Sequence, residues 1–304
     1  MSAPKVTLLH LLEATLIAGF IRLVRWMDVE RASDLFGWIA RTFGPLLPVN
    51  KVGDTNLRLA MPELDAKART LVLRGVWDNL GRTVAEFPHL GALSETTSGP
   101  GFEVVNREMM LALASGEAPV VVVGGHLANW EVGPLVMTRL GLRLGFFYRA
   151  ASNPVVDGVI LRLREDAYRG VFPGFAKGAS GARQAVAFLL RGGHLGMLVD
   201  QKLNNGIEVP FFGHPAMTAP AAATFALRLN AKIIPAHVQR IGRVRYRATF
   251  EPPLELPSTG NREQDAATVT LTINQRLEAW IREAPEQWLW LHRRWPKEAT
   301  RAIT

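Results

Sequence analysis

The chain has 304 residues, of which 48% are hydrophobic and 20% charged, enough for one large α/β domain with an ample core. It contains no cysteine, which excludes disulfides, thiolate nucleophiles and cysteine-ligated metals. The net charge of +8 predicts an acidic partner, such as an anionic membrane, an acidic protein or nucleic acid. Nucleic acid is disfavoured because the basic residues are scattered and no known nucleic-acid-binding motif accompanies them.

The first predicted element is an apolar helix. From Val6 to Val24 the chain is almost wholly apolar and has no signal-peptide cleavage site. On the insertion scale Glu13 costs about 3 kcal/mol, while the apolar residues return roughly 3–7 kcal/mol. The pattern predicts a membrane-associated helix, either a weak single span or an in-plane anchor, with a helix buried in the domain as the alternative. Residues 1–50 are therefore assigned to an N-terminal membrane-associated helical region, and the arginines that follow the apolar segment favour a cytoplasmic body.

Residues 51–304 alternate between short apolar runs and helical periodicity. This rhythm predicts one α/β domain with a largely parallel central sheet covered by helices. Residues 94–101, rich in Ser, Thr and Gly, are predicted to form a surface loop. The predicted strands are 120–123, 144–148, 195–199 and 233–237, with 243–250 as an added antiparallel strand; the predicted helices are 71–80, 107–114, 132–140, 154–168, 181–191, 219–229 and 262–283.

The most informative segment runs from Gly124 to Glu131. Two glycines separate the apolar run from His126, and Glu131 follows five residues later. Positions i and i+5 lie roughly 140° apart on an ideal helix, so the two side chains meet only if His126 precedes the helix. A histidine oriented by a carboxylate is the usual general base for activating a hydroxyl. The alternative is a structural histidine beside a glutamate that interacts with the helix N-terminus.

Polar side chains follow two further predicted strands. Asp200 and Gln201 come after one strand, and Arg149 comes after another. Ligands of open α/β sheets bind outside the carboxyl ends of the strands, so these side chains strengthen the catalytic interpretation. No second histidine stands at metal-ligand spacing from His126, and no Gly-x-Ser-x-Gly motif is present. Neither a metal, a cofactor nor a serine nucleophile is therefore expected.

The segment Gly124–Glu131 resembles the His-x4-Asp/Glu motif of the bacterial lipid A biosynthesis (secondary, lauroyl/myristoyl) acyltransferases. Matches continue in order over nearly the whole chain, which makes the resemblance specific. They comprise Tyr148-Arg149, Asn153-Pro154, the arginines Arg162 and Arg164, Asp200-Gln201 followed by residues 209–213, and the aromatic and basic residues 287–294.

The resemblance implies an acyltransferase of the His-x4-Glu type, bound to the cytoplasmic face of the inner membrane. A fatty acyl group would pass from acyl carrier protein to a hydroxyl on a hydroxyacyl chain of a lipid A precursor. It implies His126 as the general base and Glu131 as its orienting partner, while arginines hold the acceptor's phosphates or orient the catalytic groups. The substrate-binding residues that it implies are Asn129, Arg149, Arg164, Asp200 and Gln201, with helix capping as the alternative for Asn129.

Two alternatives remain open at this point. Another glycolipid or an aminolipid is the alternative acceptor, because the motifs describe hydroxyl acylation and not the sugar scaffold. A non-catalytic lipid-binding protein would use the same basic surface and apolar interior, but it gives no reason to pair His126 with Glu131. The sequence does not distinguish acyl carrier protein from coenzyme A as the donor.

Overall fold

The computed structural model describes residues 6–301 except positions 117, 149, 171 and 177. Its centre is a sheet of seven strands, with helices on both faces. Along the strand Val120–Gly124, Val121 and Val123 pack into the core on one face, while Val120 and Val122 pack into the core on the other. Burial on both faces explains why this strand is a continuous apolar run without alternation.

The sheet is largely parallel, as predicted. Its strand order is β1-β9-β8-β2-β5-β3-β4. Among the described residues of this seven-stranded sheet, β8 and β9 are the only neighbours that pair in antiparallel fashion. A separate antiparallel hairpin is formed by β6 and β7. The bounds are β1 (Gly101–Val105), β2 (Val120–Gly124), β3 (Leu144–Tyr148), β4 (Gly174–Ala176), β5 (His194–Leu198), β6 (Ile207–Phe211), β7 (His214–Thr218), β8 (Lys232–Arg240) and β9 (Arg245–Phe250).

Helices pack on both faces of this sheet. Three predicted helices have the observed bounds, at 107–114, 154–168 and 262–283, whereas the helix predicted at 71–80 is longer because the Asp65 side chain caps it at Ala68 N. The bounds are α1 (Leu8–Trp26), α2 (Val29–Phe43), α3 (Asn50–Ala60), α4 (Ala66–Glu86), α5 (Arg107–Ala114), α6 (Val132–Arg139), α7 (Pro154–Tyr168), α8 (Ala179–Leu189), α9 (Ala221–Leu229), α10 (Arg262–Glu283) and α11 (Lys297–Arg301).

The position of β2 in the sheet matters most for the site. It lies between β8 and β5, and Gly124 is in register with Leu198 at the carboxyl ends of β2 and β5. The two residues that follow these ends, His126 and Asp200, are therefore brought to the same edge of the sheet although they are 74 positions apart.

The N-terminal helix α1 lies against α7. The Asn153 side chain, which also caps α7, donates to Glu13 Oε2 over 2.8 Å and to the His10 carbonyl over 2.9 Å. Near the other end of α1, His89 Nε2 lies 3.0 Å from the Val24 carbonyl. In the described part of the chain, no helix has the length and apolar character needed to cross a membrane.

Candidate active site

The site begins with the turn between β2 and α6, residues 125–131, which we call the catalytic turn. A Cβ atom at Gly125 would lie 2.9 Å from Leu277 Cδ2 of α10 and 3.3 Å from the Asp200 carboxylate, so a larger residue would require these side chains to shift. Ala128 has a φ of +48°, in the left-handed region that costs a non-glycine residue roughly 1–2 kcal/mol. The turn is therefore held in a conformation that its own residues do not favour.

His126 projects from this turn and contacts Asp200. Its ring Nδ1 lies 2.8 Å from Asp200 Oδ1, and its backbone N–H donates to Oδ2 over 2.8 Å. The imidazole is largely buried, with 17% of the side chain exposed. Two contacts from one residue to one carboxylate fix both the backbone and the ring orientation of His126.

The hydrogen bonds assign one tautomer to the imidazole. A carboxylate only accepts, so Nδ1 carries the proton that points at Asp200. In the neutral ring the other nitrogen, Nε2, bears a lone pair, and the Gln201 amide nitrogen lies 3.4 Å from it. Nε2 faces the cavity with the lone pair that a general base requires.

Asp200 is fully buried and receives a third donor, Trp288 Nε1, at 2.7 Å from Oδ2. Burial alone would raise the pKa of Asp200, but the charge of His126 in its protonated form and its hydrogen bonds outweigh burial and hold this pKa well below its usual value. The carboxylate is therefore ionised at neutral pH. Burial also keeps it away from the cavity, which favours an orienting role over the predicted substrate-binding one.

Glu131 is bound by α7. Its carboxylate accepts from Arg164 Nη2 over 2.5 Å and Nε over 3.0 Å, and from the Tyr168 hydroxyl over 2.5 Å. Burial lowers the pKa of Arg164, but Glu131 outweighs burial and raises it, so the guanidinium stays charged. The sequence predicts Glu131 as the carboxylate that orients His126, whereas the structure places Asp200 at Nδ1. His126 and Glu131 are close in sequence, but each is bound by a residue from a distant part of the chain. His126 contacts the Asp200 carboxylate, and Glu131 contacts the Arg164 guanidinium.

A cavity of about 340 Å³ opens beside His126 Nε2. Its polar lining is concentrated near the strand ends and includes His126, Glu131 and Arg164, together with the Gln201 amide. The cavity continues along the α6 face of the sheet between apolar side chains, among them Val122, Met137 and Leu144. A polar mouth with an apolar interior suits a ligand that has a reactive polar head and a hydrocarbon chain.

The predicted substrate-binding residues have different locations. Arg164 and Gln201 line the cavity, whereas Asn129 is fully buried, with its side chain bonded to Glu86. Arg149 lies outside the described residues. Among residues 6–301, with the four gaps, no three His, Asp or Glu side chains are placed to hold a metal ion.

Two residues of the site, Tyr168 and Trp288, were given no individual role in the sequence analysis. Tyr168 has a local signal, because it follows Arg164 by four positions and shares its face of α7. Trp288 lies in the segment 287–294 that the resemblance covers, but no local pattern links it to the site, since its contact with Asp200 joins residues 88 positions apart. His237, on β8, also lines the cavity; burial against Trp280 lowers its pKa to about 4, so its ring is neutral.

The fold and these side chains define an α/β protein with a carboxylate-oriented histidine at the mouth of an apolar cavity, suited to removing a proton from a hydroxyl group. The chain belongs to the bacterial lipid A biosynthesis acyltransferase family, whose model matches residues 2–297. It is 25% identical over 262 residues to the lipid A biosynthesis palmitoleoyltransferase of Escherichia coli K12 and, equally, to the lipid A biosynthesis acyltransferase of Shigella flexneri. Each match covers 85% of this chain and 81% of the relative. The predicted family is confirmed.

Proposed function

We propose that this protein transfers a fatty acyl group from acyl carrier protein to a hydroxyl on a hydroxyacyl chain of a lipid A precursor. The observation that carries the proposal is the His126–Asp200 pair at the mouth of the apolar cavity. Membership of the family and the acyl transfer named for both relatives support the reaction class. The cavity provides space for the hydrocarbon chain, and the net charge of +8 suits both an acidic carrier protein and a phosphorylated acceptor.

The reaction follows from the tautomer of His126. The acceptor hydroxyl gives its proton to Nε2 while its oxygen attacks the thioester carbonyl carbon, forming a new C–O bond. The tetrahedral intermediate collapses, the C–S bond breaks, and the carrier thiolate takes the proton back from Nε2. Asp200 stabilises the imidazolium that exists between these two steps. No protein thioester forms, in keeping with a sequence that has no cysteine.

Glu131 acts in this scheme through Arg164. Its carboxylate fixes the guanidinium at the cavity mouth, where Arg164 also lies over the Phe146 ring at 5.6 Å. A fixed cation at this place is suited to a negatively charged or strongly polar group of the substrates. The predicted role of Arg149 in holding acceptor phosphates stays a prediction.

The outer face of α1 supports the proposed membrane association of residues 1–50. Leu8 and Trp26, near its two ends, are 83% and 86% exposed, and Leu12 and Leu16 lie on the same face between them. Exposed leucines at this density mark a surface that contacts another apolar phase. We assign that phase to the cytoplasmic leaflet of the inner membrane.

The contacts of Glu13 favour an in-plane orientation of α1. Its carboxylate bonds to Asn153, so insertion of α1 across the bilayer would require this bond to break and the charge to enter the hydrocarbon. Docked along α7, the same helix presents its leucines outward and keeps Glu13 paired. We therefore propose that α1 lies in the plane of the leaflet.

Charge on the outer face of α1 should release the protein from membranes. We expect Leu16→Glu to lower the partition onto anionic vesicles by at least about tenfold, because one leucine buried in lipid contributes roughly 1.5–3 kcal/mol. Leu190→Glu is a matched control, since Leu190 is 68% exposed and Leu16 is 66% exposed. Vesicle co-sedimentation measures both variants. Equal loss in the two would contradict a specific role for α1.

Three residues shape the deep end of the proposed acyl cavity. Leu144 begins β3, about 13 Å from the carboxyl end of that strand at 3.3 Å per residue. On the neighbouring strand, a Cβ at Gly196 would lie 3.2 Å from Met137 Cε and 3.5 Å from Leu144 Cδ1. Gly196 thus leaves space that Met137 and Leu144 limit, and we propose that these residues set the acyl length.

Filling or enlarging the deep end should shift acyl preference in opposite directions. We expect Gly196→Val to favour shorter acyl chains and Met137→Ala to favour longer ones, by about 10–200-fold in kcat/KM per methylene excluded or admitted. Competition among acyl carrier proteins of graded chain length, with products identified by mass spectrometry, measures the shift. Gly158→Ala on α7, where an added Cβ would make an ordinary contact of 3.6 Å with Arg162 Nη1, is the control. If Gly196→Val and Met137→Ala show the same preference for acyl-chain length, the assignment is contradicted.

The function itself is tested with the purified full chain, acyl carrier protein carrying a fatty acid, and a lipid A precursor in detergent micelles. Mass spectrometry should show one added acyl group, joined as an ester to a hydroxyacyl chain. Transfer only to another glycolipid or an aminolipid would overturn the acceptor. Binding of the lipids without any transfer would overturn the enzyme. Equal efficiency with acyl coenzyme A would overturn the donor.

A further inference from the structure

The conformation of the catalytic turn depends on groups outside it. The Ala128 N–H donates to the Gln287 carbonyl over 2.8 Å. The Ala128 carbonyl accepts from Asn79 Nδ2 over 3.0 Å and from Thr83 Oγ1 over 3.2 Å. The N–H and the carbonyl of Ala128, the residue with the strained φ, are thus held by α4 and by the segment after α10.

These external groups converge on Arg240. Its Nε donates to Asn79 Oδ1 over 3.1 Å. Its backbone exchanges two hydrogen bonds with the Gln287 side chain, of 2.8 and 3.1 Å. Arg240 therefore fixes two of the three residues that bond to Ala128, namely Asn79 and Gln287.

Arg240 is in turn held by Glu86. Two guanidinium nitrogens donate to the two carboxylate oxygens over 2.6 and 3.1 Å. The same carboxylate accepts from Asn129 Nδ2 over 2.9 Å, and Asn129 belongs to the catalytic turn. Ser33 and Tyr246 also donate to it. Glu86 thus touches the turn directly through Asn129 and indirectly through Arg240.

The pair is ionised although it is buried. Glu86 is fully buried, which alone would raise its pKa, but Arg240 outweighs burial and lowers it. Neither side chain lines the cavity that contains His126. The pair therefore contacts the turn and cannot contact a substrate in that cavity.

We infer that Glu86 and Arg240 are positioning residues of the active site, which hold the catalytic turn so that His126 Nε2 faces the cavity. The inference rests on the proposed role of His126. A buried ion pair adds little net stability compared with apolar side chains of similar volume. Its directional hydrogen bonds, in contrast, have no apolar substitute, so the conformation of the turn depends on the pair more than folding does.

The double variant Glu86→Leu/Arg240→Met removes both charges and keeps similar volume. We expect the variant to fold with a lower midpoint of thermal unfolding, because the Ser33 and Tyr246 hydroxyls and the Asn129 amide lose their acceptor. In the folded protein kcat should fall about 10²-fold, the effect of a displacement near 1 Å at a reacting group. The KM values for donor and acceptor should change less than twofold, because neither residue lines the cavity. Amide exchange, followed by mass spectrometry of the peptide covering residues 125–131, should become faster.

The matched control is Asp54→Leu/Arg69→Met, which removes an arginine–carboxylate pair of 2.9 Å between α3 and α4 that does not contact the turn. It should keep kcat and the exchange rate of the turn. If the first double variant does not fold, Asn79→Leu replaces it, since this change breaks the Arg240–Asn79–Ala128 connection without altering charge, and the same fall in kcat is expected.

A stable double variant with kcat within twofold of wild type and unchanged exchange would overturn the inference. So would a change confined to KM, which indicates substrate binding. A wild-type protein that transfers no acyl group would overturn the proposed function instead. The exchange of residues 125–131 would then still show whether the pair holds the turn.

Discussion

Replacing His126 with alanine should lower kcat for acyl transfer by about 10²–10⁴-fold, the usual contribution of a general base. The imidazole is the group whose Nε2 faces the cavity mouth, and its removal takes away the base that we propose accepts the hydroxyl proton. Binding of the acyl chain depends on the apolar part of the cavity, so KM for the donor should change little. Steady-state kinetics in micelles, with the unfolding midpoint measured in parallel, provide the test.

The control for this variant is His214→Ala, which removes a histidine of the β6–β7 hairpin away from the cavity. It should retain wild-type kinetics. Added imidazole should restore part of the activity of His126→Ala, because the vacated volume opens onto the cavity. Wild-type turnover in a folded His126→Ala protein would contradict the role of His126 as the general base.

Asp200→Asn should be nearly as damaging, with a loss of kcat on the order of 10³–10⁴, as expected when a histidine is left in the wrong tautomer. Asp200 accepts from His126 N, His126 Nδ1 and Trp288 Nε1, whereas an asparagine has one accepting oxygen for these donors. The amide N–H₂ then faces Nδ1 or another donor. The expected result is a folded, less stable protein whose imidazole is no longer oriented.

A comparison with Glu131→Gln separates the two carboxylates. Because the structure places Asp200 at Nδ1, Glu131→Gln should lower kcat less than Asp200→Asn, and a larger loss would restore the assignment made from the motif.

The acid side of the pH–rate profile provides a second measurement of the role of Asp200. The pKa of Asp200 is held well below its usual value, so its carboxylate stays ionised as pH falls through the range where activity declines. An acid limb that persists unchanged in Asp200→Asn would contradict its coupling to His126.

Local patterns in the sequence predict much of the fold. The helices α5, α7 and α10 and the strand β3 have the predicted bounds, since each is marked by an uninterrupted apolar pattern between turn residues. The strands β1, β4, β6 and β7 were missed. β4 has three residues, and β1 starts at Gly101, in the segment predicted as a surface loop, and pairs with β9 far along the chain. Short strands owe their existence to such partners rather than to their own sequence.

The sequence indicated individual residues of the site but not which of them contact each other. His126 and Asp200 were both recognised because each follows a strand end. Their contact depends on β2 and β5 being neighbours, and the order of strands in a sheet is not encoded in local periodicity. Because Glu131 is close to His126 in sequence, it was predicted as the partner of Nδ1, a position that Asp200 occupies in the structure. Arg164 and Tyr168 of α7 bind Glu131 instead, and the packing of α7 against α6 is a tertiary property.

The contacts around Asp200 also have a consequence for how the protein acquires activity. The hydrogen bonds that complete the site join residues 74, 88 and 154 positions apart, in His126–Asp200, Asp200–Trp288 and Glu86–Arg240. Contacts of such sequence separation form late, because the loops that they close are long. During synthesis, a chain that has not yet reached Trp288 holds the histidine but not its complete setting. We therefore expect acyl transfer to begin only after nearly the whole domain has emerged and folded, and cleavage before residue 287 to abolish it although residues 126–131 stay intact.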